Sequence, residues 1–135
     1  MKYLDSNIFL LPILYKGEKA KKAKKVLREM ASGKIQCATS SLTVDEILWV
    51  LIKMKKDRER AIETCMDILE LPNLVILDVT NEDVLRALEY MKNYVQLKPR
   101  DAIHIAVSTN AGIFTVVSDD TDFDGVQEIN REKLD

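Results

Sequence analysis

The sequence predicts a three-layer α/β/α domain with a mostly parallel central sheet. Three observations carry this. Short apolar runs that read as strands alternate with longer segments of helical period, the order in which crossover helices wrap a parallel sheet. One such run, Leu74 to Val79, is apolar throughout except for Asp78, as expected of a strand covered by helices on both faces. The chain has 135 residues, 47% of them hydrophobic and 31% charged, which is enough for one sizeable core. With no linker, repeat or low-complexity stretch, residues 1–135 read as a single domain. Its crossovers should be right-handed.

The elements follow in order. A short first strand, Lys2 to Leu4, meets Asp5 and passes into an apolar helix from Ile8 to Leu14, with Ser6 and Asn7 as polar residues that favour a helix start. Glu18 to Ser32 is a helix whose Ala20, Ala23, Leu27 and Met30 form a stripe, and Gly33 ends it. Ile35 to Thr39 is a short strand. A third helix begins near Ser41 or Thr43 and runs to about Lys55; its middle, Ile47 to Ile52, is apolar almost all round, which predicts burial on more than one side and a subunit interface as readily as a core. Asp57 to Leu71 is a fourth helix, stopped by Pro72-Asn73. After the Leu74 strand, Thr80 to Asp83 caps a fifth helix with Val84, Leu88, Met91 and Val95 on one face. Pro99 opens a sixth helix, which places Asp101, His104 and Ser108 on one side. Ile113 to Val117 is the most strand-like run. It ends in Ser118 and the acidic stretch Asp119 to Asp124, and Val126 to Ile129 reads as a last edge strand.

Composition excludes some classes. A net charge of −2 gives no global attraction to nucleic acid or anionic membrane. The two cysteines, Cys37 and Cys65, have no metal or redox spacing and read as small buried residues of a reduced, cytoplasmic protein. The chain shows no signal peptide and no run long enough to span a membrane. It also lacks a glycine-rich phosphate loop.

The acids are informative by position. Asp5 follows the first strand, Glu46 lies in the first turns of the helix after the second, and Asp119 to Asp124 follow the Ile113 strand. Strand ends and the starts of the following helices share one rim of a parallel sheet, where ligands gather. Asp101 joins them if its helix runs antiparallel to the sheet with its N-terminus at that rim. Two unit charges about 4 Å apart repel by roughly 4 kcal/mol at an effective dielectric near 20, so such a cluster calls for a hard divalent cation. All-oxygen donors select Mg²⁺ or Mn²⁺, and the combination suits phosphodiester hydrolysis. Each acid also has a structural reading. Asp5 and Asp101 can complement helix dipoles. Thr43 to Glu46 matches a capping box, and Asp119 to Asp124 can be a solvated turn.

These residues resemble the PIN-domain family, and within it the compact toxin ribonucleases of the VapC type. Leu4-Asp5-Ser6-Asn7-Ile8-Phe9 is similar to the family's first aspartate motif, and Ser41-Leu42-Thr43-Val44-Asp45-Glu46-Ile47 to its glutamate segment. Arg100-Asp101-Ala102-Ile103-His104-Ile105-Ala106, the most specific piece, is similar to the segment of the third acid. Val117 to Phe123 is similar to the strand-end motif in which a hydroxyl residue precedes the fourth acid by two. The resemblance implies a PIN-like fold and a Mg²⁺- or Mn²⁺-dependent endoribonuclease that cuts single-stranded RNA. It implies Asp5, Glu46, Asp101 and Asp120 as metal ligands and Asp122 as an outer or second-metal acid. Ser118 would orient the attacking water, and Asn7 would hold Asp5. It also implies a homodimer and a small antitoxin that blocks the acidic pocket. Asp119 stands where the family often has a small or polar residue. Only one of Asp119 and Asp120 can point inward, and either remains open as the ligand.

Four further features have competing readings. His104 reads more readily as a helix-surface histidine than as a site residue. The basic stretch Lys16 to Arg28 reads as a solvated face before an RNA track, whereas Lys98 and Arg100, beside Asp101, are better placed for a phosphate. Trp49 reads as core or dimer interface rather than a base-stacking platform. The alternative function is a non-catalytic module that keeps the fold and binds RNA or protein. A phosphotransfer domain fits less well, because Asn7 stands where a phosphatase would need a second aspartate and Thr39-Ser40 where a receiver would need one.

Overall fold

The first strand takes the centre of the sheet. The computed structural model describes residues 1–134 and orders five parallel strands β3-β2-β1-β4-β5. The strands are β1 (Lys2–Leu4), β2 (Cys37–Ser40), β3 (Leu74–Leu77), β4 (Thr115–Val117) and β5 (Asn130–Glu132). Between them lie α1 (Ser6–Leu14), α2 (Glu18–Ala31), α3 (Ser41–Lys55), α4 (Arg58–Leu69), α5 (Asn81–Asn93) and α6 (Pro99–Asn110). In register, Tyr3 pairs with Ala38 on one side and Val116 on the other, and Leu4 pairs with Val117.

Side-chain alternation along the strands makes the three layers. Leu4 and Val117 point to one face and pack with Ile8, Phe9, Ala23, Met30, Ile47 and Leu51 from α1, α2 and α3, and with Ala61, Cys65 and Ile68 from α4. Tyr3, Ala38 and Val116 point to the other face, against Val107 of α6. A neighbouring cluster joins α5 to α6 through Ala87, Tyr90, Ala102 and Ile105, with Phe123 from the loop after β4. Cys37 and Cys65 are buried free thiols, as expected.

Four elements differ from the sequence expectation, each because an apolar pattern does not say which side another element will cover. β3, expected to be covered on both faces, is an edge strand with Val75 exposed and no fully buried residue. On α3, Ile47 and Leu51 are buried while Trp49 and Met54 face outward, so the helix buries one side only. On α5 most of the expected stripe faces outward: Val84 and Leu88 are exposed, as is Val95 beyond the helix, while Met91 is half-buried against the α6 cluster and Asp83, Ala87 and Tyr90 face inward. Polar bonds to α6 fix that rotation. Tyr90 Oη and Thr109 Oγ1 are 2.9 Å apart, and Asn110 Nδ2 donates to Asp83 Oδ1 at 2.8 Å. The last strand is Asn130–Glu132 rather than Val126 to Ile129. Val126 is buried beside Phe123 in a loop, and pairing starts where Asn130 N donates to Phe114 O at 2.8 Å. An edge strand held by its backbone needs no apolar run, so a polar triplet suffices.

Asp83 also closes the capping box with Thr80. Truncating it strands the Thr80 N–H and the Asn110 amide, a loss of about 1–3 kcal/mol. Asp83→Ala should lower the urea midpoint accordingly. An unchanged midpoint would show that α5 is not held by this carboxylate.

Candidate active site at the centre of the sheet

Strand order reverses between β1 and β4. The chain moves from β1 outward through β2 to β3, then returns to the far side of β1. Crevices form at such reversals, outside the carboxyl ends of the strands. Asp5 N donates to Val117 O at 3.1 Å, so the residues that leave these two strands emerge side by side.

Asp5 is the N-cap of α1, and its Oδ1 accepts from Ser6 N at 2.7 Å. The structural reading of this acid therefore holds, but only for one oxygen. Oδ2 accepts from Ser118 Oγ at 2.6 Å and from Asn7 Nδ2 at 3.2 Å. Ser118 is fully buried. Its oxygen accepts in turn from Asp120 N at 3.0 Å, while Arg131 Nη1 donates to its carbonyl at 3.0 Å. The Ser118 proton is thus committed to Asp5.

Asp119 and Asp120 part at the end of β4. Asp119 turns outward to Lys19 Nζ at 2.9 Å, and its N–H donates to Asn7 Oδ1 at 3.3 Å. Asp120 turns inward and caps a short 3₁₀ turn, Thr121–Phe123, accepting from Asp122 N at 2.9 Å. Asp101 sits in the first turn of α6, and α6 does place its N-terminus at this rim: ligand oxygens of Asp101, Asp120 and Asp122 all lie within 4.8 Å of one another.

Glu46 is not a capping residue. The N-cap of α3 is Ser40, and the Thr43 hydroxyl pairs with Thr39 Oγ1 at 2.8 Å, whose own proton goes to Leu4 O, instead of bonding the helix start. The Glu46 carboxylate lies against His104, with Oε1 2.6 Å from Nε2.

His104 corrects the sequence reading most. It is not a surface histidine; its exposure is 0%. Its Nδ1 lies 2.7 Å from the Tyr3 hydroxyl, which itself donates to Ser40 Oγ at 2.8 Å. With the phenolic proton on Ser40, Nδ1 must donate to Tyr3 and Nε2 to Glu46, so the ring carries both protons. Burial alone would depress its pKa, but Tyr3, the Glu46 hydrogen bond and the charges of Asp5 and Glu46 outweigh that and hold it at about 10. Nε2 is also 3.8 Å from Asp5 Oδ1. A donor atom from each of Asp5, Glu46 and His104 falls within 4.8 Å of the other two. The spacing of three from Asp101 was a signal for His104; the buried tyrosine that partners it was not visible.

The remaining charges show what the crevice lacks. Burial pushes the Asp5 carboxyl up, against the pull of His104 and the Ser118 bond. Burial, with the charges of Asp120, Asp5 and Asp122, raises Asp101 to about 6. Lys98 stands 3.8 Å from Asp122 at the mouth. Glu46, Asp101 and Asp120 share the wall of a cavity of about 390 Å³. A larger cavity, about 590 Å³, lies between α5 and α6, but there Asp83 uses both oxygens in structural bonds. The acids that converge line the smaller one.

A family model described as "PIN domain" matches residues 2–129. "Ribonuclease VapC13" from Mycobacterium tuberculosis is 27% identical over 130 residues, spanning 95% of this chain and 96% of that protein. Among solved structures, VapBC2 from Rickettsia felis, bound to a DNA fragment from their promoter, superposes with a TM-score of 0.75 at 19% identity, covering 98% of both chains. A toxin–antitoxin complex from Klebsiella pneumoniae gives 0.70 at 21% identity, covering 96% of each.

The folded Asp101 holds its proton more tightly than its ordinary value of 3.8 allows. Its contribution favours folding below about pH 3.8 and is lost as pH rises through about 6. With a chelator present, Asp101→Asn should raise unfolding stability at pH 7 by about 1 kcal/mol, allowing for screening at this half-buried site. The gain should fade towards pH 4. A gain independent of pH would contradict the assignment.

Proposed function

This chain belongs to the PIN-domain family, and from that premise we propose that it is a divalent-metal-dependent endoribonuclease. It hydrolyses phosphodiester bonds of single-stranded RNA and acts as the toxin of a toxin–antitoxin pair. One observation carries the reading: carboxylates from β1, α3, α6 and the end of β4 meet in one crevice, in two adjacent groups. The relative named as a ribonuclease supports the activity.

The donors fit a hard cation. They are carboxylate oxygens apart from one imidazole, and an Asp101 carboxyl pushed up to about 6 by burial and by its acidic neighbours marks a site short of positive charge. Asp5, Glu46, Asp101 and Asp120 would hold Mg²⁺ or Mn²⁺, with Asp122 as an outer or second-metal acid. Such an ion offsets phosphate charge and activates a water for attack on phosphorus. The protein's own groups set the geometry for this. Ser118 and Asn7 fix the Asp5 carboxylate from one side, so Ser118 acts on the water through Asp5 rather than by touching it. His104 meets the Glu46 charge and limits its swing. Lys98 and Arg100 stand at the mouth, where the strand's phosphates arrive.

The same reading extends to partners. A small antitoxin would cover the acidic crevice; the likeness to a toxin–antitoxin complex from Klebsiella pneumoniae supports such a partner. Two copies would pair through apolar side chains that α5 leaves exposed, Val84, Leu85 and Leu88. Residues 1–135 would act as one domain. A toxin that cuts RNA would act in the cytoplasm; among the described residues no helix is long and apolar enough to cross a membrane.

Cleavage of single-stranded RNA should stop in EDTA and return with Mn²⁺. Asp5→Asn and Asp120→Asn should each lower the rate at least a hundredfold, roughly the several kcal/mol a metal supplies. Asp119→Asn removes only a surface ion pair and should stay within about threefold. Full activity of Asp120→Asn in a gel assay would contradict the proposed ligand set.

A further inference from the structure

We propose that Trp49 and Arg100 form a nucleotide subsite beside Glu46, in which an RNA base stacks on the indole while the guanidinium holds the adjoining phosphate. This rests on the ribonuclease reading and assigns where the substrate strand lies next to the reacting bond.

Trp49 is 60% exposed, although α3 buries Ile47 and Leu51. Of the two places its apolar run allows, core or subunit interface, it does not take the core. It stands three residues after Glu46, which puts both on one side of α3. The two side chains line one cavity of about 400 Å³ with Ser6, Asp45 and Arg100. A second cavity, bounded by Asp101 and Asp120, shares Glu46 and Arg100 with the first. Glu46 and Arg100 thus form the common wall between the acidic crevice and the indole.

Charge orders the ligand across that wall. Arg100 is exposed and, among the described residues, has no ion pair, whereas Lys98 already lies beside Asp122. An unpaired guanidinium among acids attracts an anion that the acids themselves repel, and its planar fork suits phosphate. The Trp49 cavity has the opposite character. Asp45 and Glu46 on its wall disfavour a phosphate inside it, and the flat indole offers a stacking surface. A group that is flat and neutral on one side of Arg100 and anionic at Arg100 is a nucleotide. Stacking is tolerant of sequence because every base has a π-face, and single-strand-binding proteins use the same pairing of aromatic ring and cation. A duplex would keep its bases out of the cavity, so the subsite selects unpaired RNA.

Trp49 is the chain's single tryptophan, so its emission reports this site alone. The test uses the full chain carrying Asp5→Asn, to hold RNA uncut, with Mg²⁺ and a single-stranded oligoadenylate. Titration should quench the tryptophan. Adding Trp49→Ala should weaken binding of labelled RNA by about ten- to a hundredfold in fluorescence anisotropy, and Trp49→Phe should recover most of it. Arg100→Gln should weaken binding and flatten its salt dependence by about one phosphate contact. RNA bound without quenching, and equally well by Trp49→Ala, would overturn the subsite while leaving the ribonuclease reading intact. So would Trp49→Ala that halves the mass in light scattering with RNA affinity unchanged, because the indole would then belong to a subunit contact. If the Asp5→Asn protein binds no RNA and the unsubstituted protein cuts none, the ribonuclease reading fails and takes the subsite with it.

Discussion

Negative charge gathered out of water is the constraint on which this structure depends. Asp5 is buried at the centre of the sheet, and Glu46, Asp101, Asp120 and Asp122 face the same crevice. In the protein alone, the buried imidazole of His104 answers part of that charge. His104 carries both ring protons because Tyr3 takes one and Glu46 the other. The imidazolium offsets only part of the charge. Burial still holds the Asp5 carboxyl above its ordinary range, and burial with the charges of Asp120, Asp5 and Asp122 raises Asp101 to about 6. Both carboxyls mark a crevice short of positive charge, and an added cation relieves both.

The fold serves this arrangement through its strand order. Placing β1 between β2 and β4 brings the end of the first strand against the end of the fourth, more than a hundred residues later. The Asp5–Ser118 hydrogen bond closes that distance. Asp120 N on Ser118 Oγ and Arg131 on the Ser118 carbonyl then lock the turn after β4, which decides which acid points inward. Asp119, one residue earlier, is drawn off by Lys19 at the start of α2. Neighbouring aspartates thus have opposite fates through contacts made by elements distant in sequence.

That locality separates what the sequence discloses from what it does not. Asp5, Glu46 and Asp101 were legible because each marks a strand end or a helix start, and parallel α/β topology puts those on one rim. The choice of Asp120 over Asp119 was not, because it depends on the turn and on α2. His104 was legible in direction, three residues from Asp101, but not in burial, which depends on a tyrosine from β1. The exposure of Trp49 and of most of the α5 stripe has a related reason. Periodicity identifies an apolar face, but the covering element decides whether that face or the next one is buried. On α5, Asp83 and Tyr90 turn inward because α6 offers them Asn110 and Thr109. Polar bonds between helices outweigh an apolar stripe when the stripe has nothing to cover it.

The central claim is that scattered carboxylates share a cation, and metal binding tests it without reference to any RNA. Manganese binding followed by electron paramagnetic resonance should show uptake by the unsubstituted protein and by Asp83→Asn, whose carboxylate is structural. Uptake should be lost in Asp5→Asn and in Asp120→Asn. Equal Mn²⁺ binding by all four proteins would mean that the acids meet for structural reasons alone and that the crevice is not a metal centre.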